Sequence, residues 1–256
     1  MTLRIDLNCD MGEGFGAWTL GRDAELLAWV TSANLACGFH AGDPSVMART
    51  VRLARDRGVA VGAHPGLPDL QGFGRRAMAV SPEEVRLMVL YQVGALAAIA
   101  RAEGARLAHV KPHGALYTMA AADPALARAV ARAVRETDPG LALVGLSGSA
   151  LVAAAEEAGL RPVPEVFADR GYEADGSLTP RGLPGALVED PALAAERVLR
   201  MVREGRVRAR TGEDVPIRAG TVCIHGDAPG ALATARAVRE ALDGAGIAVA
   251  APAAAP

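Results

Sequence analysis

His40, His64, His109, His113 and His225 are the only histidines of the chain, and each stands at or just past a short apolar run. An imidazole changes charge near neutral pH and ligates metals, so five in such positions invite a reading as acid–base or metal-binding groups. A lone histidine at a strand end is more often structural. Five together are hard to explain that way, and the set points to one shared site. Lys111 is the only lysine in a chain whose other long cations are all arginine. A lysine kept among arginines suggests a need for a compact ammonium, or for an amine that sheds its proton.

Alternation along extended chain sharpens the pattern, because residues two apart share a face. Asp6, Asn8 and Asp10 share one face of the first run, and Ile5, Leu7 and Cys9 take the other, packing on helices. His109, Lys111 and His113 share a face if the chain stays extended through Pro112. Asn34 with His40, and His225 with Asp227, are matched in the same way. Polar groups are costly to bury unless paired, so several strands presenting them on one face imply a common polar pocket. Asp10 with His40 and His64 could form a facial metal site, which the spacing allows without requiring. Asp6 has a competing reading as a bridge between backbone groups at the floor of the fold, and Asp43 and Asp227 as helix caps.

Other templates fit poorly. Gly12-Glu13-Gly14-Phe15-Gly16 invites a phosphate-loop reading, but no G-x-x-x-x-G-K-[ST] exists, since the one lysine precedes a proline. No G-x-S-x-G or H-E-x-x-H occurs. The chain carries no self-sufficient ATP-binding motif.

The elements that must position these residues alternate short apolar runs with longer helical ones, the signature of βα units and a parallel sheet. Strands are expected near 3–9, 32–37, 59–63, 107–111, 141–146, 163–167 and 220–225, with a weak eighth at 247–250. Helices open at Asp43-Pro44, Ser81-Pro82, Asp123-Pro124 and Asp190-Pro191, each a cap followed by proline, and Ser81 with Glu84 fits a capping box. Four of the five histidines then fall at the C-terminal ends of strands, the face on which α/β folds build active sites. Two loops, His64 to about Val80 and Ala168 to about Glu189, exceed the usual βα length and are read as functional.

A chain of 256 residues, 51% hydrophobic, suits one α/β barrel: a domain over 1–250 and a frayed Ala/Pro tail over 251–256. A net charge of −2 gives no reason to expect nucleic acid or an anionic membrane as partner. The start lacks an apolar leader segment, and no apolar run is expected to reach the roughly 20 residues of a membrane helix. Cys9, Cys37 and Cys223 are odd in number and widely spaced, which argues for a reducing cytoplasm and against a disulfide framework.

Asp6-Leu-Asn8-Cys-Asp10-Met-Gly12-Glu13-Gly14-Phe-Gly16, Asn34-Leu-Ala-Cys37-Gly38-Phe-His40, Gly62-Ala-His64-Pro65-Gly66, Gly72-Phe73-Gly74-Arg75-Arg76 and Val110-Lys111-Pro112-His113-Gly114 resemble the LamB/YcsF family. Glu165-Val-Phe-Ala168-Asp169-Arg170-Gly171-Tyr172 and Ile224-His225-Gly226-Asp227 extend the likeness, which covers about 3–245. The resemblance implies a distorted parallel (β/α) barrel of about seven strands, of the glycoside hydrolase/deacetylase type. It also implies the A component of an ATP-dependent 5-oxoprolinase, opening the lactam of 5-oxo-L-proline to L-glutamate, with subunits B and C as separate chains. ATP, accompanied by Mg²⁺, is then the co-substrate. In that reaction Asp10 or His40 would activate water, with His64 beside them, and Lys111 and His113 would steady the oxyanion or phosphate. Arg75, Arg76 or Arg170 would hold the substrate carboxylate, with Asn8, Glu13, Asp169 and His225 as further binding groups. A divalent metal at Asp10, His40 and His64 stands beside Mg²⁺ brought by ATP. The competing readings are an autonomous metal-dependent deacetylase or amidase, and a non-catalytic lactam-binding subunit.

Overall fold

The computed structural model describes residues 3–228 and 230–252. Seven parallel strands close a ring: β1 (Arg4–Met11), β2 (Ser32–Ala36), β3 (Ala60–His64), β4 (Leu107–Val110), β5 (Ala142–Leu146), β6 (Arg161–Phe167) and β9 (Thr221–Ile224). The ring shuts because β9 pairs with both β6 and β1, Glu165 lying opposite Thr221 and Asp6 opposite Thr221 on the other side. All seven expected strands are present. The weak eighth becomes β10 (Ala248–Val249), two residues that pair with the start of β1 outside the ring. A hairpin, β7 (Arg206–Arg208) with β8 (Asp214–Pro216), was not expected from the sequence. It is short and arginine-rich, and only Val207 and Val215 turn inward, too few to show an alternation. Of the expected tail, 253–256 lies outside the described residues, while the Ala251 carbonyl accepts from Arg4 Nη2.

Helices α2 (Pro44–Asp56), α3 (Pro82–Ala102), α5 (Pro124–Thr137) and α7 (Pro191–Glu204) begin at the four expected cap–proline pairs. Each cap oxygen accepts from an orphan N–H of the first turn, and Ser81 with Glu84 completes the capping box. Shorter α4 (Gly114–Ala122) and α6 (Ala150–Glu157), with α8 (Ala231–Gly244), complete the outer layer over these strands, and α1 (Asp23–Leu26) is a single turn. On α3, Val85, Val89, Val93 and Leu96 form the buried stripe. This helix has 21 residues and is by length and composition apolar enough to cross a membrane, which corrects the expectation that no such run exists. Its stripe packs into the barrel's outer core, and Glu83, Glu84 and Arg86 crowd its first turns.

Outward-facing Ile5, Leu7 and Cys9 join the core beneath the helices. The inward faces divide by chemistry. Ala142, Val144 and Val163 form a small apolar cluster of their own on β5 and β6. Across from it, β1, β2, β4 and β9 present polar groups. At the floor Asp6 accepts from the hydroxyls of Thr31 (2.7 Å), Ser32 (2.8 Å) and Thr221 (2.5 Å), side chains rather than the backbone groups expected. One layer up, His109 Nε2 donates to Asn34 Oδ1 at 2.6 Å. This imidazole occupies space that only glycine leaves free: a Cβ on Gly62 would lie 2.0 Å from His109 Nε2.

Gly62→Ala should therefore cost about 1–3 kcal/mol of stability by overpacking, read by denaturant unfolding; an unchanged midpoint would contradict this packing. His109 makes a second test. Burial, then the Lys111 charge, lowers its pKa to about 3. Unfolded, the ring titrates near 6.5, so at lower pH the unfolded state binds a proton that the folded state refuses. The contribution of this group thus falls as pH falls, by about 2 kcal/mol between pH 7 and pH 5. Unfolding free energy should drop more steeply with acidification in the wild type than in His109→Gln; equal slopes would show a charged ring in the fold.

Candidate active site

The polar ladder of β1 rises from Asp6 through Asn8 to Asp10 at the C-terminal mouth of the barrel. Lys111, just past β4, reaches across to it. Its Nζ donates to Asp10 Oδ1 at 2.9 Å, to Cys223 Sγ at 3.0 Å and more weakly to Asn8 Oδ1 at 3.3 Å, and lies 3.0 Å from Glu165 Oε1. Asn8 Nδ2 in turn donates to Glu165 Oε1 and Thr221 Oγ1, and Asn34 Nδ2 to Asn8 Oδ1 and Asp10 Oδ1. All of these side chains are buried. Burial opposes charge on Lys111, but the facing Asp10, Cys223 and Glu165 hold its pKa well above the usual lysine value. Burial likewise opposes ionisation of Asp10, and His64 and Lys111 outweigh it, keeping the carboxylate well below its usual range. Of the two reasons a lysine was expected here, the compact ammonium is the one the geometry supports, not the proton-shedding amine.

Beside this pair stand the imidazoles. His64, ending β3, donates from Nδ1 to the Lys111 carbonyl at 2.7 Å and sets Nε2 3.4 Å from Asp10 Oδ2. His113 follows β4 with the chain still extended, so the expected parity through Pro112 holds. Its Nε2 donates to the Phe73 carbonyl at 2.7 Å. Phe73 has φ +54°, the left-handed region, and that turn aims its carbonyl at the ring. His40 is not on a strand: β2 ends at Ala36, and the ring stacks 3.8 Å from that of His113 from the following loop. Gly66 lies against it, where a Cβ would meet His40 Nδ1 at 2.5 Å.

A cavity of about 350 Å³ opens over these groups. Asp10, His64, Lys111, His113, Arg75, Arg170 and His225 all line it, so most expected site residues are brought together. Both long loops contribute, the first through Arg75 and the second through Arg170, Leu178, Pro180 and Arg181. Six expectations need correction. The first two are His40 and Glu13, which do not line the cavity. Arg76 turns away and pairs with Asp69 at the surface. Asn8 sits below the cavity as part of the lysine cage rather than on its wall. Asp169 stands behind His225, accepting from its backbone N–H and facing its Nδ1 at 2.9 Å. The expected metal set of Asp10, His40 and His64 does not cluster as such. The structure groups His40 and His64 with Glu13 and His113, and groups Asp10 with Cys223 and His225, where the Lys111 ammonium already lies between Asp10 and Cys223.

Three groups escape the sequence reading. Glu165 is a lone acid in the apolar run of β6, a signal as strong as Lys111 once parity is applied to it. Cys223 looks like any small buried hydrophobe. Arg181 lies in a loop without periodicity, yet lines the cavity with no ion-pair partner among the described residues, whereas Arg75 is held by Asp227 at 2.6 Å and Arg170 donates to the Thr179 and Ala186 carbonyls.

The LamB/YcsF family model matches residues 5–255. A protein of Methylococcus capsulatus, named as the A subunit of 5-oxoprolinase, is 61% identical, over 98% of this chain and 96% of its own. One of the same name from Bacillus subtilis is 58% identical over 96% of each chain. The crystal structure of the lactam utilization protein from Thermus thermophilus matches with a TM-score of 0.92 at 56% identity, over 98% of this chain and 100% of that one.

Removing the ammonium leaves Asp10 and Glu165 facing each other without a cation. Lys111→Met should destabilise the chain by about 3–5 kcal/mol, and Asp10→Asn should recover part of that loss when combined with it. Strict additivity of the two in denaturant unfolding would mean that the pair is not coupled.

Proposed function

Because the chain belongs to the LamB/YcsF family, we propose that it is the A component of an ATP-dependent 5-oxoprolinase, acting in the cytoplasm with subunits B and C. The observation that carries this reading is the end-to-end likeness to relatives bearing that name. The cavity supports it: a small, cation-lined space suits an anionic lactam, and three free buried cysteines suit a reducing compartment.

A five-membered lactam resists water. Transfer of the ATP γ-phosphoryl group to the amide oxygen releases ADP and makes the ring carbon electrophilic. Water adds to that carbon. Loss of phosphate from the adduct would only restore the lactam, so productive collapse breaks the C–N bond, with a proton delivered to nitrogen. The acyl phosphate left behind takes a second water to give glutamate and inorganic phosphate. In this scheme the Asp10 carboxylate, beside His64 Nε2, is placed to accept the proton of the attacking water. Asp10 itself is held ionised by Lys111, and the ammonium also faces the cavity, where it stabilises developing negative charge. His40 lies behind His113, off the cavity wall, and so supports rather than touches the substrate. Arg181, and Arg75 when released from Asp227, are the groups for the substrate carboxylate. Nucleotide chemistry is shared with the partner chains, as no phosphate-loop motif occurs here.

Glutamate release from 5-oxoproline, with ATP and Mg²⁺, should require this chain together with its candidate subunits B and C. Asp10→Asn should lower that turnover by about 10²-fold or more in an assembled complex. Release by this chain alone, without ATP, would identify an autonomous hydrolase instead; no release from the folded, assembled mixture would reject the substrate.

A further inference from the structure

The imidazoles at the cavity wall have more acceptors than donors. His64 Nδ1 and His113 Nε2 are committed as donors to backbone carbonyls, which leaves one ring nitrogen of each for a further partner. The remaining nitrogens, His64 Nε2 and His113 Nδ1, face each other at 3.0 Å. Glu13 Oε1 stands 3.8 Å from His113 Nδ1. His40, with no exposed surface, has no hydrogen-bond partner at either ring nitrogen. One ligand atom from each of Glu13, His40, His64 and His113 lies within 4.8 Å of all the others. A proton shared by His64 and His113 would satisfy that one contact and leave both nitrogens of His40 unserved. A multivalent cation serves all four.

We infer that Glu13, His40, His64 and His113 form a site for one transition-metal dication of the zinc class, opening into the cavity past His64 and His113. The inference goes beyond the proposed reaction and holds whatever the substrate is. Three imidazoles and one carboxylate suit zinc, cobalt or manganese, whereas Mg²⁺ demands oxygen ligands, so this site is separate from any Mg²⁺ brought by a nucleotide. Ligands about 2.0–2.1 Å from a tetrahedral centre lie roughly 3.4 Å apart. The 3.0 Å and 3.8 Å contacts straddle that value.

The full chain, stripped with a chelator, is titrated with Zn²⁺ by calorimetry and with Co²⁺ by visible absorption. One equivalent should bind, with ligand-field bands of nitrogen–oxygen coordination. His40→Ala is the informative variant, since His40 makes no hydrogen bond and does not line the cavity. It should weaken binding by more than the roughly 10–100-fold lost when a residue that only orients a ligand is removed, scored on protein whose circular dichroism shows it folded. Arg76→Ala should bind as wild type, and excess Mg²⁺ should leave the Co²⁺ spectrum unchanged. Failure of the folded wild type to take up either ion, wild-type affinity in His40→Ala, or displacement by Mg²⁺ would overturn the site. Each is read without turnover, so the proposed reaction can fail while the site stands.

Discussion

Two buried carboxyl groups share one buried ammonium at the mouth of this barrel, and the arrangement of the interior follows from it. An unpaired charge at such a depth is prohibitive, so Lys111 must find Asp10 and Glu165, and they must find it. Asp10 comes from β1, Glu165 from β6, Cys223 from β9 and Lys111 from just past β4. The lysine therefore ties together strands from opposite sides of the ring. Asn8 and Asn34, the only two asparagines of the chain, carry the network downward, their amide groups donating and accepting at once. An amide can do both where a carboxylate cannot, which accounts for asparagine at these two positions. Such a network is rigid when fully satisfied, and rigidity is what a site must have to hold reacting groups in place.

The neutral side of the site is organised by exclusion. His40, His64 and His113 lie against one another with rings at right angles or stacked, and Phe73 closes over them edge-on. This crowding is possible because glycine replaces side chains where rings must enter, as at Gly66 beside His40. The crowding also keeps His40 and His113 neutral. Charge is thus segregated: an ionised aspartate and an ammonium on one side, and on the other a cluster whose lone pairs are free. That division lets one cavity offer both electrostatic stabilisation and a base.

Much of this was legible in the sequence, and the exceptions have physical reasons. The seven strands and four capped helices follow from local signals, period-two and helical apolar patterns and cap–proline pairs, which burial then reinforces. Parity alone placed Asp6, Asn8 and Asp10 inside, because side chains in an extended strand have only two directions to take. It failed at His40, since the chain leaves β2 at Ala36 and turns, and counting by twos has no meaning in a turn. Arg76 and Arg75 are neighbours of identical type, and which of them meets the cavity depends on a loop whose path is set by Asp69 and Asp227. Glu165 was within reach, as a lone acid in an apolar strand is improbable without a cation. Arg181 was not, because nothing local distinguishes a cavity arginine from a solvent one.

The presence of a single lysine makes the central interaction directly observable. Selective ¹⁵N labelling of lysine gives one side-chain resonance, that of Lys111, whose shift reports ammonium or amine. With Asp10, Cys223 and Glu165 around it, the signal should remain that of an ammonium as pH rises past the ordinary lysine value of about 10.4. Titration to the neutral amine below that value would contradict the account, because the carboxyl groups would then not be holding the charge on which the interior depends.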